Sequence, residues 1–349
     1  MSRVLDRHGF PAPQAVELDM RADSAAACSK KVGALESAVV VFLATRQSDV
    51  NMLGKEVLPR VSRYFLRQWP YAVRIFLGSK VSAFGRLPSA PPYNLSVHRL
   101  PPDVFGVRGD PHWRSKVNRC GKTCVVSPEY CAMNEFFTMG MFAHPALAPF
   151  RYYMRLDASD LFLQQPITLD PFCLMREERR TFLWQVRTKI FNPSCSEGMG
   201  EWFAAYAARH GFLPKDPHMF ARGSGIIYYG NVGVGDLDFF RRDDVRALAR
   251  AFNADGRVYL NRWSDQTYYV LLLALFAAHE AVGDLGLRWA PQLYCHKACR
   301  RGGHHKINVS STARAGDQSH GRAHHGAHTP LTSPAGGSPP RSQPAPLSV

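Results

Sequence analysis

Two apolar runs and the segment between them form the clearest hydrophobic pattern in the chain. The runs AVVVFLATR, beginning at Ala38, and YAVRIFLGS, beginning at Tyr71, are continuous and rich in β-branched residues. Such runs are typical of buried parallel strands. Between them, apolar residues recur at helical spacing, with Ser48 or Asp49 as a possible cap. The apolar residues at helical spacing are Val50, Leu53, Val57, Val61 and Phe65. Strand, helix and strand together predict a βαβ unit with a right-handed crossover on a parallel sheet.

Further elements follow from the same patterns. We expect a helix from near Glu129, a short strand from Tyr152 towards Phe162, and a helix in the stretch DDVRALARAFNADG. Thr267 to Ala281 is apolar almost all round, which predicts a buried helix. Residues 80–128 are rich in Pro and Gly, so we expect loops there.

The distribution of these patterns predicts three parts of the chain. Residues 1–35 show no convincing periodicity and are expected to be a leader or stem without order. Residues 36–300 carry the folded domain. Residues 301–349 are rich in His, Pro, Gly and Ser, a composition too polar to bury a core, so we expect a disordered tail.

Charge and cysteine content narrow the class of protein. The formal net charge of +15 suggests an anionic partner. Because the arginines are scattered rather than gathered into a basic stripe, nucleic acid is not the expected partner. Eight cysteines fit a secretory-pathway protein with disulfides, or a set of buried free thiols, and the pairing stays open. No segment approaches the ~20 apolar residues of a membrane helix, so any membrane association would need an anchor outside this sequence.

Polar residues that follow the predicted strands are the candidates for chemistry. Arg46 lies in Thr45-Arg46-Gln47-Ser48, where a cation and hydroxyls at a helix start suit a diphosphate. Asp157-Ala158-Ser159-Asp160 follows the strand that begins at Tyr152. Ligands bind at the carboxyl ends of parallel strands. Carboxylate oxygens there would select Mg²⁺ or Mn²⁺ to hold a nucleotide diphosphate, although a cap or surface charge is the alternative.

Several motifs in fixed order resemble one known family. They are TRQSD, YCAMNEFF with FAHPAL, YYMRLDASDLF, YYGNVGVGDLDFFR, GRVYLNRWSDQTYYVLLLALF and QLYCHKAC. From about Ala38 to Arg300, this set resembles the α-1,2-mannosyltransferases of glycosyltransferase family 15. The resemblance implies a GT-A fold, with a mixed and mainly parallel sheet flanked by helices. It also implies retaining transfer from GDP-mannose to a glycan acceptor with Mn²⁺, in the Golgi or secretory-pathway lumen.

The resemblance also implies roles for individual residues. Asp157 and His296 would bind the metal, and Arg46 and Ser159 would contact the nucleotide sugar. The remaining implied contacts are to the sugar or acceptor: Asn231, Arg262, Trp263 and Asp265. For Trp263 the alternative is a core aromatic, and for Asp265 it is a helix cap.

The sequence departs from the family at Gly233, where the resemblance implies a glutamate that acts as nucleophile or stabilises the cationic transition state. A covalent route would then need Asp236, Asp238 or Asp265 as a substitute. Transfer could otherwise proceed on one face of the sugar, with the leaving diphosphate as base. The second function that stays open is a catalytically impaired protein that binds glycans or acts as a scaffold. A zinc-binding, basic nuclear protein is a weaker third hypothesis, because the spacing of its ligands does not recur elsewhere. Its ligands would be Cys295, His296, Cys299, His304 and His305.

Overall fold

The apolar run from Ala38 forms an interior strand of the central sheet. In the computed structural model, the described residues are 27–28, 35–81, 93–101, 128–159, 163, 166–185, 187–190, 193–261 and 263–285. The strands are β1 Ala38–Ala44, β2 Ala72–Leu77, β3 Leu95–Arg99, β4 Tyr152–Leu156, β5 Phe182–Trp184, β6 Arg187–Lys189, β7 Ile226–Tyr228, β8 Val232–Asp236 and β9 Val282–Asp284. All seven residues of β1 are buried, as expected for a parallel strand covered on both faces.

Seven of these strands form one mixed sheet in the order β3-β2-β1-β4-β8-β5-β9. Strand β8 runs antiparallel to β4 and β5, whereas the other pairings in the sheet are parallel. The predicted mixed, mainly parallel sheet is therefore confirmed. Strands β6 and β7 form a separate antiparallel ribbon. The ribbon follows β5 and returns to β8, so it is attached to the sheet where these two strands meet.

Helices cover both faces of the sheet. They are α1 Gln47–Met52, α2 Leu58–Val61, α3 Pro128–Glu135, α4 Met141–Ala143, α5 Pro171–Glu177, α6 Met199–His210, α7 Pro217–Arg222, α8 Leu237–Phe240, α9 Asp243–Ala254, α10 Arg257–Leu260 and α11 Asp265–Phe276. Strand β1 divides the core, because its alternate residues enter different apolar clusters. Val39 and Val41 pack in the cluster that contains α11, and Val40 and Phe42 pack in the cluster that contains α1.

The connection between β1 and β2 forms as predicted, with a small change at its start. The five apolar residues spaced along it are all at most 1% exposed, and π-helical turns at Leu53–Val57 and Ser62–Leu66 keep them on one side. The helix begins one residue before the predicted caps. Arg46 occupies the cap position, and its backbone N–H donates to Asp49 Oδ2 at 3.2 Å. Ser48 and Asp49 therefore lie in the first turn.

Two other expectations need correction. Strand β3 lies within the segment expected to be loops, and it pairs with β2 at the sheet edge. Its residues are mostly half-buried, so it lacks the continuous apolar run that marks β1. The buried helix predicted to reach Ala281 ends at Phe276. Of the described residues, none forms a helix both long and apolar enough to cross a membrane. The predicted domain boundaries stay predictions.

Two of the described cysteines form a disulfide, which is one of the alternatives left open by the sequence. Cys28 and Cys173 form a disulfide across 145 residues. This bond joins the segment before β1 to α5, and the backbone N–H of Asp170 also donates to the carbonyl of Cys28 at 3.1 Å. Cys131 and Cys195 are buried.

Candidate functional site

Three of the predicted site segments meet at one edge of the sheet. Strands β1 and β4 are parallel, with Val41 paired to Arg155, so Arg46 and Asp157 both follow carboxyl ends at the same edge. Strand β8 runs the other way, with Val232 paired to Leu156, so Asn231 enters the sheet at that edge. The edge matches the position where parallel sheets bind ligands.

Asp157 is held in a local turn. Its backbone N–H donates to the carbonyl of Asn231 at 2.9 Å. Its Oδ1 accepts from the backbone N–H of Ser159 at 2.7 Å and from the Ser159 hydroxyl at 3.2 Å. The two segments are therefore fixed to each other through the backbone, and an acidic and a hydroxyl oxygen lie side by side at the strand end.

Arg46 is oriented by its own helix turn. Its Nη2 lies 2.9 Å from Asp49 Oδ1, and its Nε lies 3.1 Å from Asp49 Oδ2. The side chain remains 54% exposed. At this exposure the guanidinium is accessible to an anion at the edge.

A buried ion pair lies directly beneath this edge. Arg155 of β4 pairs with Asp265 at the start of α11, and their side chains are 8% and 0% exposed. The guanidinium also lies 3.5 Å from the centre of the Phe137 ring. Burial by itself would lower the pKa of Arg155, but the Asp265 carboxylate raises it above its ordinary value, so Arg155 is charged. A Cβ at residue 230 would lie 3.2 Å from Arg155 Nη2, so the glycine there lets the turn before Asn231 pack on the pair.

In this geometry Asp265 is buried and paired with Arg155, and its predicted role at the sugar site or in catalysis stays a prediction. Asp265 is not the helix cap, since that position belongs to Ser264. One carboxylate oxygen, Oδ1, is buried without a hydrogen-bond partner. The Asp265 backbone N–H approaches Asn134 Oδ1 at 3.5 Å, and the Nδ2 of the same asparagine is also unpartnered. A buried acceptor, Asp265 Oδ1, and a buried donor, Asn134 Nδ2, thus belong to neighbouring residues beneath the edge.

Trp263 is a core aromatic rather than a surface for a sugar ring. It is 0% exposed, and its Nε1 donates to the carbonyl of Glu197 at 2.9 Å. Phe252 stacks on the indole with ring centres 5.4 Å apart, and Arg257 lies 4.1 Å from its ring centre. The alternative considered from the sequence, a packed interior side chain, describes this residue.

Asp236 lies at the opposite edge of the sheet from Asp157, and its predicted catalytic role stays a prediction. It pairs with Tyr152, the first residue of β4. At about 3.4 Å per residue, the length of β4 places it roughly 14 Å from the level of Leu156. Its carboxylate caps α8 by accepting from the Asp238 N–H at 2.9 Å and also pairs with Arg151 at 3.3 Å.

Gly233 lies in β8, opposite Arg155 on one side and Trp184 on the other. A Cβ built at this position would lie 3.1 Å from Cζ of Phe182. The side of the strand on which a longer residue would project is therefore filled by an aromatic ring. Arg262 and His296 lie outside the described residues, and their roles stay predictions.

Comparison with known proteins decides the family. The family model described as glycolipid 2-alpha-mannosyltransferase, glycosyltransferase family 15, matches residues 111–301, which is more than half of the chain. The chain belongs to glycosyltransferase family 15. The match includes Asp157, Asn231 and the buried Arg155–Asp265 pair.

Curated relatives of this family 15 chain include two fission yeast proteins. The chain is 24% identical over 235 residues to O-glycoside alpha-1,2-mannosyltransferase homolog 2 of Schizosaccharomyces pombe, covering 57% of this chain and 60% of the relative. It is 22% identical over 211 residues to homolog 4 of the same yeast, covering 48% of each. The chain thus spans about half to three fifths of the length of these relatives.

Solved structures agree on the fold. Core-mannan synthase A (CmsA/Ktr4) from Aspergillus fumigatus, in its Mn/GDP form, aligns with a TM-score of 0.60 and 17% identity, covering 72% of this chain and 73% of that one. The mannosyltransferase Ktr4p from S. cerevisiae, in complex with GDP, aligns with a TM-score of 0.62 and 17% identity, covering 74% and 70%. At this identity the likeness establishes the fold alone, and it confirms the predicted GT-A-type fold.

Sequence reasoning missed two features near this edge, the structural role of Arg155 and the strand β5. Arg155 is a charged residue inside the apolar strand YYMRL, and that contrast is itself a signal of a buried partner. Trp184 ends the short strand β5 and gives no comparable signal, because a strand of three residues carries no readable period.

Proposed function

We propose that this family 15 chain transfers mannose from GDP-mannose to a mannoside of a glycan acceptor, forming an α-1,2 linkage with retention of configuration. The observation that carries the proposal is the shared sheet edge at which Arg46, Asp157 and Asn231 meet, within a region that matches the family. The mannosyltransferase relatives and the GDP in the solved structures support the choice of donor.

In this proposal the Asp157 carboxylate and the Ser159 hydroxyl face the donor with hard oxygen atoms, which suit Mn²⁺. The described part of the chain holds no group of three or more His, Cys, Asp or Glu side chains placed to bind a metal. The remaining ligands would be diphosphate oxygens and the predicted His296. A bound Mn²⁺ would neutralise charge that develops on the diphosphate.

Arg46 contributes a second positive charge near the diphosphate. Because its guanidinium is oriented by Asp49 and stays largely exposed, it can donate to phosphate oxygens without a large rearrangement. Asn231 is 8% exposed and fixed to Asp157 through its carbonyl, so it supplies a rigid wall beside the donor.

The absence of a carboxylate at Gly233 favours transfer on one face of the sugar. The acceptor oxygen would bond to the anomeric carbon as the bond from that carbon to the diphosphate oxygen breaks. The acceptor proton would pass to the released diphosphate. This sequence of events retains configuration without a protein nucleophile.

The same observation supports a second candidate, a catalytically impaired member of the family that binds glycans or acts as a scaffold. Gly233 has no carboxylate, and Phe182 occupies the space into which a side chain at this position would project. Binding of nucleotide and glycan without turnover would be its signature.

The disulfide between Cys28 and Cys173 supports folding in an oxidising compartment. Together with the family, this favours the Golgi or another part of the secretory pathway as the site of action. Retention of the disulfide in protein recovered from cells, mapped by mass spectrometry without reduction, would test this.

Nucleotide binding is tested by thermal unfolding with millimolar GDP and Mn²⁺. A ligand that binds only the folded chain raises the midpoint, by an amount that grows with concentration. Asp157→Ala should abolish the shift. Asp236→Asn is the matched control, because it changes a carboxylate at the opposite edge and should leave the shift intact. No shift in the wild-type chain would refute the proposed donor.

Turnover separates the two candidates. With GDP-mannose and an oligomannose acceptor, the transferase releases GDP and forms an α-linked product, which NMR of the anomeric proton identifies. A chain that shows the thermal shift but releases no GDP is the binding module. Product with inverted configuration would refute the mechanism while leaving the donor site in place.

A further inference from the structure

A cluster of aromatic and basic side chains begins two strands away from the proposed donor site on the same sheet. It consists of Trp184, Arg187 and Tyr228, where the chain leaves β5 and enters the β6–β7 ribbon. We propose that Trp184 is the surface on which a pyranose ring of the donor or acceptor stacks, with Arg187 donating to its hydroxyls. This inference rests on the proposed function.

The sheet register places Trp184 at the site. It pairs with Gly233, and Gly233 pairs with Arg155, the residue two before Asp157. Neighbouring strands lie about 4.8 Å apart, so two strand spacings separate Trp184 from β4 by roughly 10 Å. Paired residues project from the same face of a sheet, so the indole and the Arg155 side chain share a face. The half-buried indole therefore lies beside the edge that carries Asp157 and Asn231.

The packing around the indole makes it rigid and flat. Tyr228 lies parallel to it, with ring centres 5.8 Å apart and 5° between the planes, an offset arrangement that holds the indole plane. Tyr228 is itself buried, which raises its pKa to about 12, so its hydroxyl is neutral. Tyr228 thus holds the half-buried indole in place.

Arg187 supplies the polar part of the cluster. Its guanidinium lies over the indole ring, 5.1 Å from the ring centre, and the Arg187 backbone pairs with that of Tyr228 in the ribbon. Residue Arg187 is exposed. The exposed Arg187 would move from the ring to donate to sugar hydroxyls, and the indole would then meet the C–H face of the pyranose.

The experiment compares Trp184→Ala and Trp184→Phe in the full chain. Removing the ring should raise the KM for one sugar substrate by about tenfold, the loss expected for one aromatic stacking contact. The kcat should change by less than about twofold, and Phe should restore most of the affinity. A rise in KM for GDP-mannose assigns the ring to the donor sugar, and a rise for the mannoside assigns it to the acceptor. Titration with methyl α-mannoside gives a reading independent of turnover.

Tyr64→Ala is the matched control. This half-buried aromatic also carries an arginine over its ring, with Arg63 5.2 Å from the ring centre, but it lies in the β1–β2 connection on the other core cluster. It should leave both KM values unchanged.

The outcomes separate this inference from the proposed function. Trp184-dependent mannoside binding without transfer supports the stacking surface and removes the transferase. Wild-type transfer with unchanged KM values in Trp184→Ala overturns the stacking surface alone. An equal loss of affinity for GDP itself also overturns it, because the ring would then contact the base. A wild-type chain that neither binds mannoside nor transfers mannose overturns both.

Discussion

Removing the carboxylate of Asp265 should strongly destabilise the fold. In Asp265→Ala, the Arg155 guanidinium keeps its charge inside the protein, where its side chain is only 8% exposed. Breaking a buried pair in this way costs about 3–5 kcal/mol. The Phe137 ring, 3.5 Å from the guanidinium, offsets part of this cost. We therefore expect a loss near the lower end, about 3 kcal/mol.

The measurement is urea unfolding followed by circular dichroism, with the two-state character checked by tryptophan fluorescence. The double variant Arg155→Met/Asp265→Leu is the informative control. It removes both charges and fills the space, and replacement of a buried pair by apolar residues is often neutral or stabilising. Stability should therefore return in the double variant.

Two results would refute this reasoning. A loss below about 1 kcal/mol in Asp265→Ala would mean that the pair is solvated and behaves as a surface salt bridge. A double variant as unstable as the single one would mean that Asp265 is needed for contacts other than the charge of Arg155. If the double variant is stable yet fails to bind GDP and Mn²⁺, the pair also has a role in shaping the edge above it.

Three further predictions concern stability in other parts of the fold. Replacing Cys28 and Cys173 by serine should lower the free energy of unfolding by about 2–5 kcal/mol; urea unfolding without reductant measures it, and equal stability would show the bond is absent. Gly235→Ala places a Cβ 2.5 Å from Cε1 of Tyr153 and should cost about 1–3 kcal/mol; a change within 0.5 kcal/mol, roughly that of a surface substitution, would contradict the packing. Burial lowers the pKa of His144, so the neutral form is favoured in the fold. The contribution of His144 to the free energy of unfolding is present above the unfolded pKa near 6.5 and is lost as pH falls below that value. The free energy of unfolding of the wild type, relative to His144→Gln, should therefore decrease between pH 7 and 5, and a constant difference would contradict this.

The sequence predicted the local elements well where the pattern was long. The fully apolar run from Ala38 identified the strand, and the spaced apolar residues after it identified the crossover helix. A strand buried on both faces is apolar throughout, whereas a helix buried on one face is apolar only at every third or fourth residue. The helix starting at Asp243 was equally clear, with Val245, Leu248 and Phe252 buried as expected. Short strands such as β5 and the half-buried edge strand β3 were not recognisable, since few residues carry little periodicity.

The site was predicted only in part, because its residues meet through strand direction rather than through spacing. Asp157 and Asn231 were both expected there, and the antiparallel β8 brings Asn231 to the edge while carrying Asp236 to the opposite one. No pattern in the sequence states the direction of a strand.

By itself, the sequence determined the family, the sheet class and the polar residues that follow the strands, because these depend on residue order and local periodicity. Only the tertiary structure decided that Asp265 is paired with Arg155, that Trp263 is enclosed and that Trp184 lies beside the site. The physical reason is that a carboxylate or an indole has no role of its own. Burial, partner charges and the side of the sheet on which it projects determine whether it stabilises the core or is available to a ligand.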